Sequence, residues 1–194
     1  MKSVFWVVGN DTEVGKTFIS GLLCKKFKLA YWKPFQSGSI FVSDANYVKN
    51  LGCKIYPTLY EFSTPQAINI AAKCHKININ LDLWEMNLPV NENLIIENAG
   101  GILSPINDDF LFADLIKKTK IPVILVIKSK IGMINQTLLS IEALRSRDIK
   151  IFGLILNGKK CENEVKNAIE KFSEIKITAE IGNNFEIWHE KLFD

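Results

Sequence analysis

The stretch Gly9-Asn10-Asp11-Thr12-Glu13-Val14-Gly15-Lys16-Thr17 brings glycine, lysine and a hydroxyl together in the order that phosphate chemistry uses. Consecutive backbone N–H groups at a helix start can cradle phosphate, Lys16 can reach the β and γ oxygens, and Thr17 can offer its hydroxyl to Mg2+. Polyphosphate is the natural ligand of such a loop. The spacing departs from the strict pattern G-x-x-x-x-G-K-[ST]: five residues separate Gly9 from Gly15 where the pattern has four, so the first glycine position falls on Asn10. Glu97 closes the apolar run Leu94-Ile95-Ile96 ahead of Asn98-Ala99-Gly100-Gly101, a place from which a carboxylate can help to hold Mg2+ beside the threonine. A carboxylate at the end of a buried strand also needs a partner. Lys33 follows Tyr31-Trp32 and precedes Pro34; its ammonium either projects toward the phosphate or snorkels to solvent along its apolar stem.

These groups need elements to position them. Val4 to Val8 is a short apolar run rich in β-branched and aromatic residues that stops at Gly9, as a strand buried on both faces should. From Lys16 the apolar residues Phe18, Ile19, Leu22, Leu23 and Phe27 recur at helical spacing, so strand, loop and helix follow one another. Further strands are expected at Leu29 to Trp32, Asn93 to Ile96, Pro122 to Ile127 and Ile151 to Leu156, the last stopping at Asn157-Gly158. Helical periodicity covers Phe112 to Lys118, Gln136 to Arg147 and Glu164 to Phe172, with further helices expected around Asp44 to Leu51 and Ala67 to Lys76. Residues 34 to 92 are the least legible stretch, with ambiguous periodicity from Ile77 to Met86. Strands alternating with helices predict a three-layer α/β/α fold with a mostly parallel central sheet, P-loop NTPase-like, in a single domain over residues 1–194. In such sheets ligands collect at the carboxyl ends of strands, so Lys33, Glu97 and the loop should converge.

Composition bounds the rest. With 24 Lys and Arg against 21 Asp and Glu, the net charge of +3 gives no reason to expect nucleic acid or an anionic membrane. The longest uncharged stretches fall far short of the roughly 20 residues of a spanning helix, and the N-terminus lacks the features of a signal peptide, so a cytoplasmic location is expected. Cys24, Cys53, Cys74 and Cys161 form no CxxC pair and read as reduced, buried thiols. His75 and His189 have no neighbouring ligand at metal spacing, and Trp6, Trp32, Trp84 and Trp188 are expected to pack. Lys25-Lys26 and Lys159-Lys160 read as solvated faces.

The loop with Asp-Thr-Glu-Val-Gly-Lys-Thr, the segment Tyr31-Trp32-Lys33-Pro34-Phe35-Gln36-Ser37-Gly38 and Glu97-Asn98-Ala99-Gly100-Gly101 together resemble the dethiobiotin synthetases. The likeness continues through Phe112-Ala113-Asp114, Pro122-Val123-Ile124-Leu125-Val126, the segment from Gly132 to Leu139 and Gly153-Leu154-Ile155-Leu156-Asn157, in the family's order, so most of residues 4 to 157 is covered. The resemblance implies ATP- and Mg2+-dependent formation of dethiobiotin from 7,8-diaminopelargonic acid and CO2 or bicarbonate, with release of ADP and phosphate. By position it implies Lys16 on the transferring phosphoryl group, Thr17, Asp44 and Glu97 around Mg2+, and Thr12, Lys33 and Ser37 on the diamine and its carbamate. The implied nucleotide-binding set is Glu13, Val14, Gly15, Lys16, Thr17, Phe18 and Asn157, with Asn157 resembling the residue that reads adenine. On its own Asn157 reads as readily as part of an Asn-Gly turn. The family's members are homodimers in which a helix N-terminus of the partner receives the substrate carboxylate, and that element resembles Gly132-Met133-Ile134-Asn135.

Three departures stand out. Glu97-Asn98 replaces a Glu-Gly, Asn157-Gly158 replaces an Asn-Asp, and Ala179 to Asn184 contains no proline where the family often has a proline-containing loop around the base. Two other readings remain open. A partner-controlled ATPase of the deviant Walker type would carry a second lysine early in the loop, where Asn10 and Asp11 stand, and a related amide synthase would normally carry a glutamine-hydrolysing domain, for which the length leaves no room. Lys16 and Lys33 are both expected to face the site and not the core, so replacing either by alanine should abolish product formation with the fold intact.

Overall fold

The computed structural model describes residues 3–39, 43–89, 91–158 and 161–182, together with the backbone of 186–188. The expectations for Lys159, Lys160, His189 and the Trp188 side chain, and for Asn183 and Asn184 of the C-terminal loop, lie outside the described residues.

In chain order the elements are β1 (Val4–Gly9), α1 (Lys16–Phe27), β2 (Ala30–Trp32), β3 (Phe35–Ser37), α2 (Asp44–Asn50), β4 (Ile55–Tyr56), β5 (Tyr60–Phe62), α3 (Ile68–Cys74) and α4 (Leu81–Asn87). They continue with β6 (Leu94–Glu97), α5 (Phe112–Thr119), β7 (Val123–Lys128), α6 (Met133–Arg145), β8 (Ile151–Asn157), α7 (Asn163–Ser173), β9 (Ile177–Ile181) and β10 (Glu186–Trp188). Eight strands form one sheet in the order β10-β9-β8-β7-β1-β6-β2-β4. All its pairings are parallel except that of β10 with β9. The chain moves from β1 out to β2 and β4, returns to insert β6, and then builds β7 to β10 on the other side. β1 therefore lies at the point where the winding reverses, which is where doubly wound sheets bind ligands.

Each central strand is apolar on both sides because helices cover both faces. Strand residues alternate between faces, and the parity sorts the core. Phe5, Val7, Tyr31, Ile95, Ile124 and Val126 pack with Ile19 and Leu23 of α1 and Val48 of α2. Trp6, Val8, Trp32, Leu94 and Ile96 pack on the other face with Ile68 of α3, Trp84 of α4 and Leu115 of α5. There Trp6, Trp32 and Trp84 stack, with ring centroids 5.9 Å and 5.7 Å apart, so these three tryptophans are core residues as expected. Lys33 and Glu97 have the same parity as Tyr31 and Ile95, which sends their side chains to the face that carries α1 and α2.

Several expectations change in detail. α6 begins at Met133 and not Gln136, because Gly132 adopts the left-handed conformation from which the helix starts and Met133 alone of the first turn is buried. Residues 34 to 92 contain three short strands, two of which, β3 and β5, pair only with each other in a two-stranded sheet; strands of three residues or fewer are too short for alternation to reveal. Ala179, Glu180 and Ile181 belong to β9 and not to a loop, held by parallel pairing with β8. Cys24 and Cys161 are buried, but Cys53 is half-buried and Cys74, the last residue of α3, is exposed, so the expectation of four buried thiols is corrected. No described helix is long and apolar enough to cross a membrane.

Candidate active site

β1 delivers the chain at Gly9 into the loop, and α1 begins at Lys16. Gly15 sits between them at φ +91°, in the left-handed region, and a Cβ there would come within 2.1 Å of the Asn157 amide nitrogen. That amide, at the end of β8, donates to the Val14 carbonyl at 2.8 Å and so ties a second strand end to the loop. Gly15→Ala is expected to lower stability by about 2 kcal/mol, since it adds left-handed backbone strain to a clash with a hydrogen-bonded side chain. Thermal unfolding checks this, and a variant as stable as the native chain would contradict it.

The loop is braced from outside by two lysines, Lys128 at the end of β7 and Lys130 just after it. Lys128 Nζ donates to the Glu13 carbonyl at 3.0 Å, and Lys130 Nζ pairs with Asp11 Oδ2 at 2.9 Å. The hydrogen bond from Lys130 is the main reason why the Asp11 carboxyl titrates below its ordinary value. Lys16 is 8% exposed, and its Nζ donates to the Asp11 carbonyl at 3.1 Å. Burial pulls this ammonium from its ordinary 10.5 down to about 8, against the opposing pull of Glu97. A lysine whose folded-state value lies below its unfolded value binds fewer protons folded than unfolded between the two values. Its contribution to stability is therefore adverse below about pH 8 and improves as pH rises from there toward 10.5. Bound phosphate favours the charged form, so nucleotide affinity is expected to be flat below about pH 8 and to weaken by up to about tenfold per pH unit above it. Calorimetric titration of ADP on either side of that pH tests the point, and an unchanging affinity would refute it.

Next to the loop, Glu97 ends β6 with no exposed surface. Its Oε1 accepts from Thr17 Oγ1 at 2.8 Å and from Lys33 Nζ at 3.0 Å, and its Oε2 accepts from the Tyr31 hydroxyl at 3.1 Å. Lys33 also pairs with Asp44, the first residue of α2. Pro34 holds Lys33 in an extended conformation, which carries the side chain off the end of β2 toward Glu97, two strand positions being adjacent through the pairing of Trp32 with Ile96. Burial works against the Lys33 charge, but Glu97 and Asp44 outweigh it and raise its pKa. The two lysines thus differ for a plain reason: Lys33 has two carboxylates against it, and Lys16 has a carbonyl. Burial and the Glu97 charge together hold the Tyr31 hydroxyl well above its ordinary range, so it is a donor. The snorkelling alternative for Lys33 is excluded by its 5% exposure.

A cavity of about 580 Å3 opens over these groups. Thr12, Glu13, Gly15, Lys16, Thr17, Lys33, Ser37, Asp44 and Glu97 all line it, so nine of the residues singled out in the sequence come together. Others do not line it. Val14 is a buried member of the loop, and its carbonyl accepts from Asn157. Phe18 is 40% exposed on the first turn of α1. Gly132 caps α6 and Met133 to Asn135 begin it, but none of the four lines the cavity of the same chain, and Met133 is buried against Cys161. Sequence reasoning missed Tyr31, Gln36, Ser104, Lys128 and Lys130. Strand parity with Lys33 would have found Tyr31, and the strand-end rule would have found Lys128. The departure at Asn98 also has a structural use: its Nδ2 donates to the Gly101 carbonyl at 3.1 Å, with longer contacts to the carbonyls of Ala99 and Gly100, and pins the turn after β6.

A strand-loop-helix phosphate cradle at the reversal point of a parallel sheet, with a carboxylate on the neighbouring strand end bonded to the loop threonine, defines a P-loop nucleoside-triphosphate-binding protein. The model of the family described as AAA domain matches residues 3–190. An ATP-dependent dethiobiotin synthetase BioD of Lawsonia intracellularis is 40% identical over 177 residues, covering 91% of this chain and 86% of the relative. One of Paramagnetospirillum magneticum is 38% identical over 184 residues, covering 93% and 88%. The chain belongs to the ATP-dependent dethiobiotin synthetase family. Among solved structures, a ParA family ATPase from Chlorobium tepidum superimposes with a TM-score of 0.60 at 13% identity, covering 94% of this chain and 84% of that one, which is a likeness of fold.

Proposed function

We propose that the cavity converts 7,8-diaminopelargonic acid, CO2 and ATP to dethiobiotin, ADP and phosphate. The observation that carries this reading is the meeting of Lys33, Glu97, Asp44 and Thr17 beside Lys16 in one cavity. One amine of the substrate captures CO2 as a carbamate, the carbamate oxygen takes the γ-phosphoryl group of ATP, and the second amine closes the ring as phosphate leaves. No enzyme nucleophile is needed. The protein positions the reactants and opposes charge: Thr12 and Ser37 hold the diamine and carbamate, Lys33 is the cation at the carbamate, and Lys16 is the cation at the γ-phosphoryl oxygens. Preorganised charges of this kind in a site shielded from water contribute several kcal/mol each, on the order of 3.

Thr17, Asp44 and Glu97 present only oxygen donors, and the two carboxylates already converge on one cation, the Lys33 ammonium. Such a set, with one or two carboxylates completed by phosphate, fits Mg2+. When bound, that ion supplies neutralisation of the β- and γ-phosphoryl oxygens. Asn157 is proposed to read the adenine through its side-chain amide while the same amide nitrogen holds Val14. Because residues 132–135 do not line the cavity of their own chain, the working unit is proposed to be a homodimer. The N–H groups and positive end of α6 from a second copy would there receive the substrate carboxylate.

Incubating the purified protein with the diamine, bicarbonate, ATP and magnesium should yield dethiobiotin by mass spectrometry, with ADP release that requires the diamine. ADP release indifferent to the diamine, with no dethiobiotin, would overturn the proposal in favour of a switch-type ATPase.

A further inference from the structure

We propose that Tyr31 is a positioning residue that fixes which oxygen of Glu97, and at what angle, faces the phosphate cavity. This rests on the reading of Glu97 as a ligand of a divalent cation. Tyr31 lies in the middle of β2 with no exposed surface and the same parity as Lys33. Its ring packs in the core beneath α1 and α2, and only its hydroxyl reaches the site. The bonds to Glu97 are divided by oxygen. Oε1 takes Thr17 and Lys33, both of which line the cavity, and Oε2 takes Tyr31, which does not.

The terminal torsion of a glutamate is broad and nearly two-fold, so packing alone does not hold a carboxylate plane in one orientation. A donor on the core side does. With Oε2 engaged at 3.1 Å, the plane is held with Oε1 outward, toward the threonine hydroxyl and the place of a cation. Without the hydroxyl, Oε2 would be a buried charged oxygen lacking that donor. The carboxylate would then gain by turning toward Thr17 or Lys33, sharing donors that now serve Oε1. Partners of this kind, one bond removed from the metal, typically cost about 10- to 100-fold in metal affinity when they are lost.

The test uses Mn2+ as the probe, with its binding to the protein-ADP complex followed by electron paramagnetic resonance. Tyr31→Phe keeps every ring contact and removes only the donor. It is expected to bind Mn2+ about tenfold more weakly than the native chain, or worse. In a Glu97→Gln background the same substitution is expected to change affinity by less than about twofold, because Tyr31 acts through the carboxylate. Tyr31→Phe with native Mn2+ affinity would overturn the proposal. So would equal losses in the two backgrounds, the signature of general damage to the core. If Glu97→Gln itself binds Mn2+ as the native chain does, the metal reading of Glu97 falls and the proposal with it. Production of dethiobiotin by the native protein separates either failure from failure of the proposed reaction. Thermal unfolding of all four chains establishes that each is folded, and the double variant, with no buried charge left unpaired by the change, remains measurable if Tyr31→Phe alone is weakened.

Discussion

Lys33→Ala is expected to abolish dethiobiotin formation, with a loss of about a thousandfold or more, and to destabilise the chain by about 3–5 kcal/mol at neutral pH. The loss of activity follows from removing the cation proposed to sit at the carbamate. The loss of stability follows from geometry. Glu97 is wholly buried and Asp44 partly so, and Lys33 is the ammonium between them. Removing one partner of a buried ion pair strands the other charge, which costs far more than the pair itself contributes. The fold is expected to remain, at this lower stability: Lys33 faces the site, but it also neutralises the carboxylates that end β6 and begin α2. Single-turnover assay of dethiobiotin together with thermal unfolding checks both parts. Full activity would refute the assignment of Lys33, and native stability would refute the electrostatic account of its pairing.

Lys16→Ala is expected to lower kcat/KM for ATP by about a hundredfold to a thousandfold while leaving stability at neutral pH unchanged or raised. The contrast with Lys33 is the informative part. Burial already pulls the Lys16 ammonium down to about 8, because its near neighbour is the Asp11 carbonyl and not a carboxylate. At neutral pH the folded chain carries a buried charge with little to offset its lost hydration, so removing it relieves an adverse term. Two buried lysines in one cavity should thus share a loss of activity and differ in the sign of their effect on stability. ATP kinetics beside thermal unfolding decide the matter; a Lys16→Ala variant destabilised as strongly as Lys33→Ala would show that Lys16 has a carboxylate partner in solution.

Much of this molecule can be read from local order. The run Val4 to Val8, the phosphate loop and the periodicity from Phe18 to Phe27 each carry their own signal within about a dozen residues, because burial on both faces demands apolar strands and a single buried stripe demands helical spacing. The same holds for β6, β7 and β8, and for Glu97 and Asn157, the polar residues that end β6 and β8. Where the signal was short it failed. β3, β4 and β5 are two or three residues long, and their formation depends on partners far along the chain, as in the pairing of Phe35 with Tyr60. The start of α6 has a weak signal because its first turn buries one residue, and Ala179 to Ile181 do not read as a strand because that strand exists only through its register with β8.

The sequence by itself determined the residue types of the site and the strand ends that carry them, since those follow from apolar runs and the polar groups that stop them. Only the tertiary structure decided their pairing. That Lys33 bridges Glu97 and Asp44, that Thr17 and Tyr31 take opposite oxygens of Glu97, and that Asn157 crosses to Val14 all depend on the order β8-β7-β1-β6-β2. That order sets beside one another groups as far apart in the chain as residues 14 and 157. Distances of that kind have no signature in spacing, because the free energy that fixes them is the burial of the whole sheet between its helices and not any preference of the segments involved.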